Sequence, residues 1–162
     1  MPISKEQIIL GIDPGIADTG YGVIKKQGQK LVCLTCGSIK TPAKTDLTKR
    51  LLSLHKELTK IIKKYQPDKV AVEELFFAKN VKTALTVGQA RGVVLLTLAE
   101  HNLPLFEYKP SQVKQALTSY GAADKRQVGL MVKLMLNLKS LPRPDDATDA
   151  LAIAITCAHS EK

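Results

Sequence analysis

The sequence of 162 residues predicts an α/β protein with one mixed five-stranded sheet flanked by helices. Two observations carry this prediction. Short apolar and β-branched runs separated by turn residues dominate the first part of the chain, whereas later segments repeat apolar residues at helical spacing. In order, the elements read βββαβαβ followed by three helices, which places an antiparallel hairpin at one edge of the sheet.

Three strands are predicted first, over residues 8–13, 20–26 and 31–39. The turn sequences "PGIADT" and "KQGQK" separate them. Because connections this short join neighbouring strands that run in opposite directions, we expect antiparallel pairing here.

A helix with start signals at Thr45 and Asp46 comes next. Its apolar residues recur every three or four positions, which predicts one buried stripe and a solvated face of lysines. The stripe consists of Leu47, Leu51, Leu54, Leu58, Ile61, Ile62 and Tyr65. A turn at Pro67 and Asp68 then leads into a strand over residues 69–74.

The second helix is predicted from Asn80, a favourable N-cap residue, to about His101. It is apolar nearly all round, and its small residues are Ala84, Gly88, Ala90 and Gly92. The remaining elements are a short strand and three helices, predicted over residues 105–108, 111–118, 125–138 and 147–159.

Composition predicts a single domain over residues 1–162, because no linker, repeat or low-complexity tract interrupts the chain. The longest apolar run, residues 93–99, is far too short to span a bilayer, and no secretory signal is recognisable. We therefore expect a cytoplasmic protein with no membrane partner. The formal net charge of +9, from 24 basic and 15 acidic residues, favours a polyanionic partner such as nucleic acid.

Cys33 and Cys36 have the spacing of a redox pair or of half a zinc site. A zinc site needs a second pair of ligands, and Cys157 and His159 lie in a distant apolar segment. We interpret the three cysteines as reduced thiols.

Acidic residues stand where burial would otherwise be expected. Asp13 ends the first strand, and Glu73 and Glu74 end the strand after the first helix. An isolated buried carboxylate is costly, so it needs a basic partner, a proton or a divalent cation. No Lys or Arg lies within these motifs apart from Lys69 at a strand start.

Further acids open the final helix in "PDDATDALAIAI". Asp146 and Asp149 are three residues apart and share a helix face. Helix capping explains Asp145 or Asp146 adequately, but it does not explain Asp149, which lies one turn into an apolar helix. Oxygen ligands without His or Cys favour Mg²⁺ or Mn²⁺, and several converging carboxylates can hold two such ions for attack on a phosphodiester.

The first turn has a rival interpretation. Asp13-Pro14-Gly15 with Thr19-Gly20 also resembles the phosphate loop of actin- or hexokinase-like ATPases. That fold needs two such phosphate loops in separate parts of the chain, whereas this sequence contains only this one. A non-catalytic DNA-binding module is also disfavoured, because four acids without a metal would repel phosphates.

Five motifs, in order and spacing, resemble the RuvC family of Holliday junction resolvases: "GIDPGIADTGYGVI", "AVEELFFAKN", "VGQARGV", "QVKQAL" and "DATDALAIAIT". They extend from about residue 8 to residue 159. The resemblance implies one nuclease domain with a ribonuclease-H-like fold, in which adjacent parallel strands carry Asp13 and Glu73 beside the last helix.

The family's catalytic and metal-binding acids correspond to Asp13, Glu73, Asp146 and Asp149. The resemblance thus selects Glu73 over Glu74. It likewise selects Asp146 over Asp145. It implies two Mg²⁺ ions, replaceable by Mn²⁺, that bridge the scissile phosphate: one activates a water and the other stabilises the departing 3′ oxygen. The products would carry 5′-phosphate and 3′-hydroxyl ends. A related nuclease that acts on other branched DNA or on RNA is the remaining alternative.

The resemblance also implies DNA contacts and protein partners. Candidate DNA-binding residues are Phe76, Phe77, Lys79, Lys114, Lys125 and Arg126. The aromatic at Phe76 would handle DNA at the junction point, where a ring can stack on an unpaired base. Further implied partners are a second copy of the chain, which contacts the first through the second helix, and the branch-migration proteins RuvA and RuvB.

Two smaller expectations concern the first connection. Gly15, Gly20 and Gly22 are expected to shape the tight turn between strands and to leave room near DNA. Asp18 is expected to point to solvent.

Overall fold

The computed structural model describes residues 5–74 and 80–160, so Phe76, Phe77 and Lys79 lie outside the described residues. The predicted order of elements is confirmed. The elements are β1 (Gln7–Asp13), β2 (Asp18–Gln27), β3 (Lys30–Lys40), α1 (Leu47–Tyr65), β4 (Lys69–Glu73), α2 (Val81–Glu100), β5 (Leu105–Tyr108), α3 (Pro110–Thr118), α4 (Lys125–Met135) and α5 (Asp145–His159).

The five strands form one mixed sheet in the order β3-β2-β1-β4-β5. β2 is antiparallel to both β1 and β3, which confirms the predicted antiparallel edge. β1 and β4 are parallel neighbours, and so are β4 and β5. Because β1 and β4 run parallel, Asp13 and Glu73 lie at the same edge of the sheet.

Helices cover both faces of the sheet. Leu10 and Val70 belong to the core shared with α1 and α2, whereas Ile9 and Ala71 belong to the core shared with α3, α4 and α5. Neighbouring residues of a strand point to opposite faces, so each central strand supplies both cores. This double burial explains why β1 and β4 read as continuous apolar runs.

Glycines of β1 and β2 let α5 approach the sheet unusually closely. A Cβ atom on Gly11 would lie 2.1 Å from the carbonyl oxygen of Ala150, and one on Gly20 would lie 2.1 Å from that of Asp146. A Cβ on Gly22 would overlap a leucine side chain of α5. The expectation that Gly20 and Gly22 leave room near DNA is therefore wrong: both make room for α5.

Gly15 does shape the first connection, as expected, because a Cβ there would lie 2.4 Å from the carbonyl oxygen of Asp18. The Thr19 hydroxyl donates to the Gly15 carbonyl at 2.6 Å and holds the turn closed. Asp18 is half-buried rather than turned to solvent, and its carboxylate accepts a hydrogen bond of 2.8 Å from Ser38.

The helices differ from the predictions mainly at their ends. Asn80 caps α2 as predicted, because its side chain accepts a hydrogen bond of 3.1 Å from the N–H of Lys82. α4 ends at Met135, three residues early, since Asn137 adopts a left-handed conformation with φ of 51° that ends a helix. Across the described part of the chain, no helix is long and apolar enough to cross a membrane.

The glycine contacts predict the effect of adding one methyl group. Gly11→Ala should lower the free energy of unfolding by about 3 kcal/mol, because overpacking against a helix backbone cannot relax by side-chain rotation. Gly121→Ala is the matched control, since its Cβ would meet nothing closer than 3.6 Å. Urea denaturation of both variants measures the difference, and equal stabilities would show that α5 does not depend on the bare strand.

Candidate metal centre

Three carboxylates converge where β1 ends and α5 begins. Asp13, Asp146 and Asp149 each offer one carboxylate oxygen, and these oxygens all lie within 4.8 Å of one another. Asp13 is the last residue of β1, whereas Asp146 and Asp149 lie on one face of the first turns of α5. All three are half-buried. The group therefore has the hard oxygen donors and the spacing that a divalent cation needs.

Glu73 lies beside this trio. Among the described residues, only the three aspartates have carboxylate oxygens that all lie within 4.8 Å of one another. Burial raises the pKa of both Asp13 and Glu73; the charge of Glu73 adds to the shift at Asp13, and the charge of Asp149 adds to the shift at Glu73. Glu74, the next residue, lines a cavity of about 220 Å³ together with Asp13 and Glu73. The structure thus brings all four acids expected from the sequence to one place, with three of them in closest contact.

The site carries more negative charge than its surroundings compensate. Burial, followed by the charges of Glu73, Asp149 and Asp146, raises the pKa of Asp13 to about 7, while Lys125 opposes the shift. Burial also raises the pKa of Glu73 and of Asp149. Partly desolvated carboxylates that repel one another are stabilised either by protons or by a cation.

Lys125 supplies a cationic partner that the sequence motifs alone did not reveal. Its Nζ lies 3.5 Å from a carboxylate oxygen of Asp149 and 3.6 Å from one of Asp145. The charge of Asp149 raises the pKa of Lys125. Asp145 therefore contacts the lysine and stays outside the trio, whereas Asp146 belongs to it.

Lys114 and Lys125 line a cavity of about 320 Å³ next to the carboxylates. Glu73 and Asp149 also line it, and its apolar lining residues are Pro110, Val113, Ala123, Val128, Ala152 and Ile153. The charge of Lys114 lowers the pKa of Glu73 and partly offsets its burial. Arg126 is exposed on α4 and does not line this cavity.

Arg91 of α2 fixes the end of β4, a contact not anticipated from the sequence. The β1–β4 ladder ends at the pair Ile12 and Val72, one residue before the two carboxylates. Beyond it, the Arg91 guanidinium donates to the carbonyl of Glu73 and to the carboxylate of Glu107. The Arg91 side chain is only 11 % exposed. The sequence signal for this contact is an arginine in the middle of a helix whose other charged residues, Lys82 and Glu100, lie at its ends.

Comparison with known proteins agrees with this geometry. Residues 9–157 match the family described as crossover junction endodeoxyribonuclease RuvC. The chain belongs to the RuvC family. The predicted family is thus confirmed, and with it the ribonuclease-H-like fold.

Among relatives in the RuvC family, the crossover junction endodeoxyribonuclease RuvC of Heliobacterium modesticaldum is 57 % identical over 153 residues, covering 94 % of each chain. The protein of the same name from Chloroflexus aggregans is 57 % identical over 151 residues, covering 93 % of this chain and 92 % of its own. A solved structure of T. thermophilus RuvC in complex with a Holliday junction substrate is 40 % identical, with a TM-score of 0.88 over 93 % of this chain and 92 % of that one.

The raised pKa of Asp13 predicts how pH affects the metal-free protein. The folded state holds this proton more tightly than the unfolded state, so the stabilisation is complete below about pH 4 and is lost as pH rises through about 7. Asp13→Asn removes the buried charge and should raise the free energy of unfolding at pH 8 by about 2 kcal/mol.

Urea denaturation in chelator at pH 5 and pH 8 tests this expectation. The control is Asp46→Asn, because the Asp46 side chain is largely exposed and its partner is the exposed Lys49. A variant at Asp13 that is less stable than the wild type at pH 8 would contradict the proposed charge repulsion.

Proposed function

We propose that this RuvC-family protein is a Holliday junction resolvase, a cytoplasmic endonuclease that nicks four-way DNA junctions symmetrically in recombination and repair. The observation that carries the proposal is the trio Asp13, Asp146 and Asp149 within 4.8 Å. It occurs in a chain 57 % identical to a protein named crossover junction endodeoxyribonuclease and similar in fold to RuvC solved with a Holliday junction. We further propose that residues 1–162 form a single nuclease domain.

The donor set fits divalent magnesium, with manganese as a substitute. Asp13, Asp146 and Asp149 would hold the cations, with Glu73 beside them, and we propose two ions per site. Carboxylates without His or Cys suit these hard cations. Burial, followed by repulsion from the neighbouring carboxylates, raises the pKa of Asp13, and such cations would relieve that repulsion. When bound, the metal supplies Lewis-acid chemistry for phosphodiester hydrolysis that leaves 5′-phosphate and 3′-hydroxyl ends.

The side chains around the carboxylates orient the site and attract its substrate. Arg91 fixes the strand end that carries Glu73. Lys114 and Lys125, at the cavity next to Glu73 and Asp149, are placed to bind phosphates that flank the reacting one. We also propose DNA contacts for Arg126 and for Phe76, Phe77 and Lys79, in keeping with the formal net charge of +9.

A homodimer is the proposed assembly, because symmetric nicking of a four-way junction needs two active sites. α2 supports this proposal, since Val81, Leu85 and Leu96 are 81 %, 63 % and 59 % exposed on it. These residues are 4 and 11 positions apart, close to whole helical turns, so they lie on one side of α2. Exposed apolar side chains that share one face are typical of a surface that another chain covers. Cooperation with RuvA and RuvB is proposed from the family resemblance alone.

Cleavage assays test the activity directly. The protein should cut a synthetic four-way junction in the presence of Mg²⁺, spare linear duplex and RNA–DNA hybrid, and lose activity in chelator. Asp149→Asn should slow cleavage at least about 100-fold by removing a metal ligand, without weakening junction binding. Asp46→Asn, on the exposed start of α1, should cut at the wild-type rate.

Other outcomes of this assay separate the alternatives. Preferential cleavage of the hybrid would support a related nuclease that acts on RNA. Full activity in chelator would exclude metal-dependent hydrolysis, and wild-type cleavage by Asp149→Asn would remove that residue from the proposed site.

Salt dependence tests the lysine contacts. Lys114→Ala should lower the slope of log affinity for the junction against log salt by about one, because one phosphate contact is lost. Lys60→Ala is the control, because Lys60 lies on α1, on the other face of the sheet, and pairs with Glu57. Fluorescence anisotropy over a range of salt concentrations measures both slopes, and an unchanged slope for Lys114→Ala would contradict a phosphate contact.

Sedimentation tests the dimer. Leu85→Glu places a charge on the exposed side of α2 and should shift the protein to monomer. Leu134→Glu is a matched control on α4, where the leucine is 71 % exposed, and should leave the dimer intact. A monomeric wild type at assay concentration would contradict the proposed assembly.

A further inference from the structure

A β-bulge in β3 changes the faces to which its cysteines point. β2 pairs with β3 with a shift in register between Val23 and Ile24, so that Val23 lies opposite Thr35 and Ile24 opposite Cys33. Leu34 is the extra residue of the bulge. In a regular strand, residues three apart point to opposite faces, but the extra residue places Cys33 on the same face as the cysteine three positions later.

The shared face is the one that α5 covers. Ile24, opposite Cys33, belongs to the core on that side, and Gly22, opposite Cys36, lies beneath Leu151 of α5. Both thiols are half-buried and pack against this core. Their partners on β2, Gly22 and Ile24, are two residues apart. The Cα atoms of the two cysteines are therefore expected roughly 6.6 Å apart. That spacing is within the range of Cα separations that a disulfide can span.

The two thiols also interact directly. A hydrogen bond between them raises the pKa of Cys33 and lowers that of Cys36 to about 7. Cys157, in contrast, is buried in α5, and burial raises its pKa. Cys36 is therefore the thiol that combines ionisation near neutral pH with access to solvent, the two conditions for reactivity. β3 is an edge strand of the sheet, so within residues 5–74 and 80–160 no strand pairs with its outer side.

We infer that Cys33 and Cys36 form a redox-active pair that a peroxide oxidises to a reversible intrachain disulfide. The Cys36 thiolate attacks one oxygen of hydrogen peroxide, the O–O bond breaks, and hydroxide leaves with formation of a sulfenic acid. The sulfur of Cys33 then attacks the sulfenic sulfur and displaces hydroxide, which takes the Cys33 proton to form water. Overall, two thiols lose two electrons and two protons, and one peroxide is reduced to two waters.

The inference is independent of the proposed nuclease activity. β2 lies between β3 and β1, so the pair is separated from Asp13 by a whole strand. The bridge would close a four-residue ring across the bulge. Its formation can thus be measured on the intact protein without DNA or metal.

Alkylation tests the reactivity of Cys36. The folded wild-type chain is treated with limiting iodoacetamide at pH 7, digested with trypsin and analysed by mass spectrometry. Trypsin releases residues 31–40 as one peptide with both cysteines, whereas Cys157 is released in another. Cys36 should react at least about tenfold faster than Cys157, because the rate follows thiolate fraction and access. In denaturant the difference should disappear.

Peroxide treatment tests the bridge. After blocking of free thiols, the peptide 31–40 should be two hydrogens lighter than its reduced form, and dithiothreitol should restore it. Cys33→Ser should abolish the bridge and leave a sulfenic acid at Cys36 that dimedone traps. Cys36→Ser should remove both the fast alkylation and the bridge.

Three results would overturn the inference. Alkylation of Cys157 as fast as Cys36 in the folded wild type would show that the pair has no special reactivity. Peroxide treatment that leaves peptide 31–40 reduced, or that joins two chains through it, would exclude an intrachain disulfide. Because these measurements use the wild type, they hold even if a serine variant fails to fold.

Discussion

The close approach of α5 to the bare face of β1 and β2 is the constraint on which the site depends. Side chains normally separate a helix from a sheet, but at Gly11 and Gly20 the helix backbone occupies that space. Ala150, at the contact, is small for the same reason. This approach carries Asp146 and Asp149 to the end of β1, so that residues more than 130 positions apart in sequence share one cation-sized space.

Burial and mutual repulsion disfavour the charged form of the clustered carboxylates. Neighbouring basic residues offset this cost only in part. The β1–β2 ladder extends to Asp13 and the β4–β5 ladder to Glu73, yet the β1–β4 ladder ends one pair before these two residues. Arg91 takes over at that point and satisfies the Glu73 carbonyl while Glu107 balances its charge. Clustered like charges at the end of a strand ladder disfavour folding locally. Functional sites often contain such unfavourable features, which contacts from the rest of the structure offset.

Much of this arrangement could be predicted from the sequence, because the signals are local. Strand runs, turn residues and the Asn80 cap act within a few residues, and carboxylates at strand ends stand out against apolar neighbours. The contact of Lys125 with Asp149 could not be predicted, since it joins two helices through side chains 24 residues apart. The bulge at Leu34 could not be predicted either, because no glycine or other distinctive residue type marks its position in the sequence. Nor could the role of Gly20 be predicted, because a glycine in a strand can make room on either face.

The ion pair between Lys125 and Asp149 gives the metal-free centre a cation of its own. The ammonium lies 3.5 Å from an oxygen of Asp149, so it occupies part of the field that a divalent ion would enter. Two cations at one carboxylate repel each other, and the doubly charged ion is the stronger competitor. Binding of the proposed ions would therefore weaken the ion pair of Lys125, which also lines the adjoining cavity. Under the proposed function, this lysine would then pair with a DNA phosphate in place of Asp149, so that metal occupancy would be linked to the affinity for a phosphate backbone.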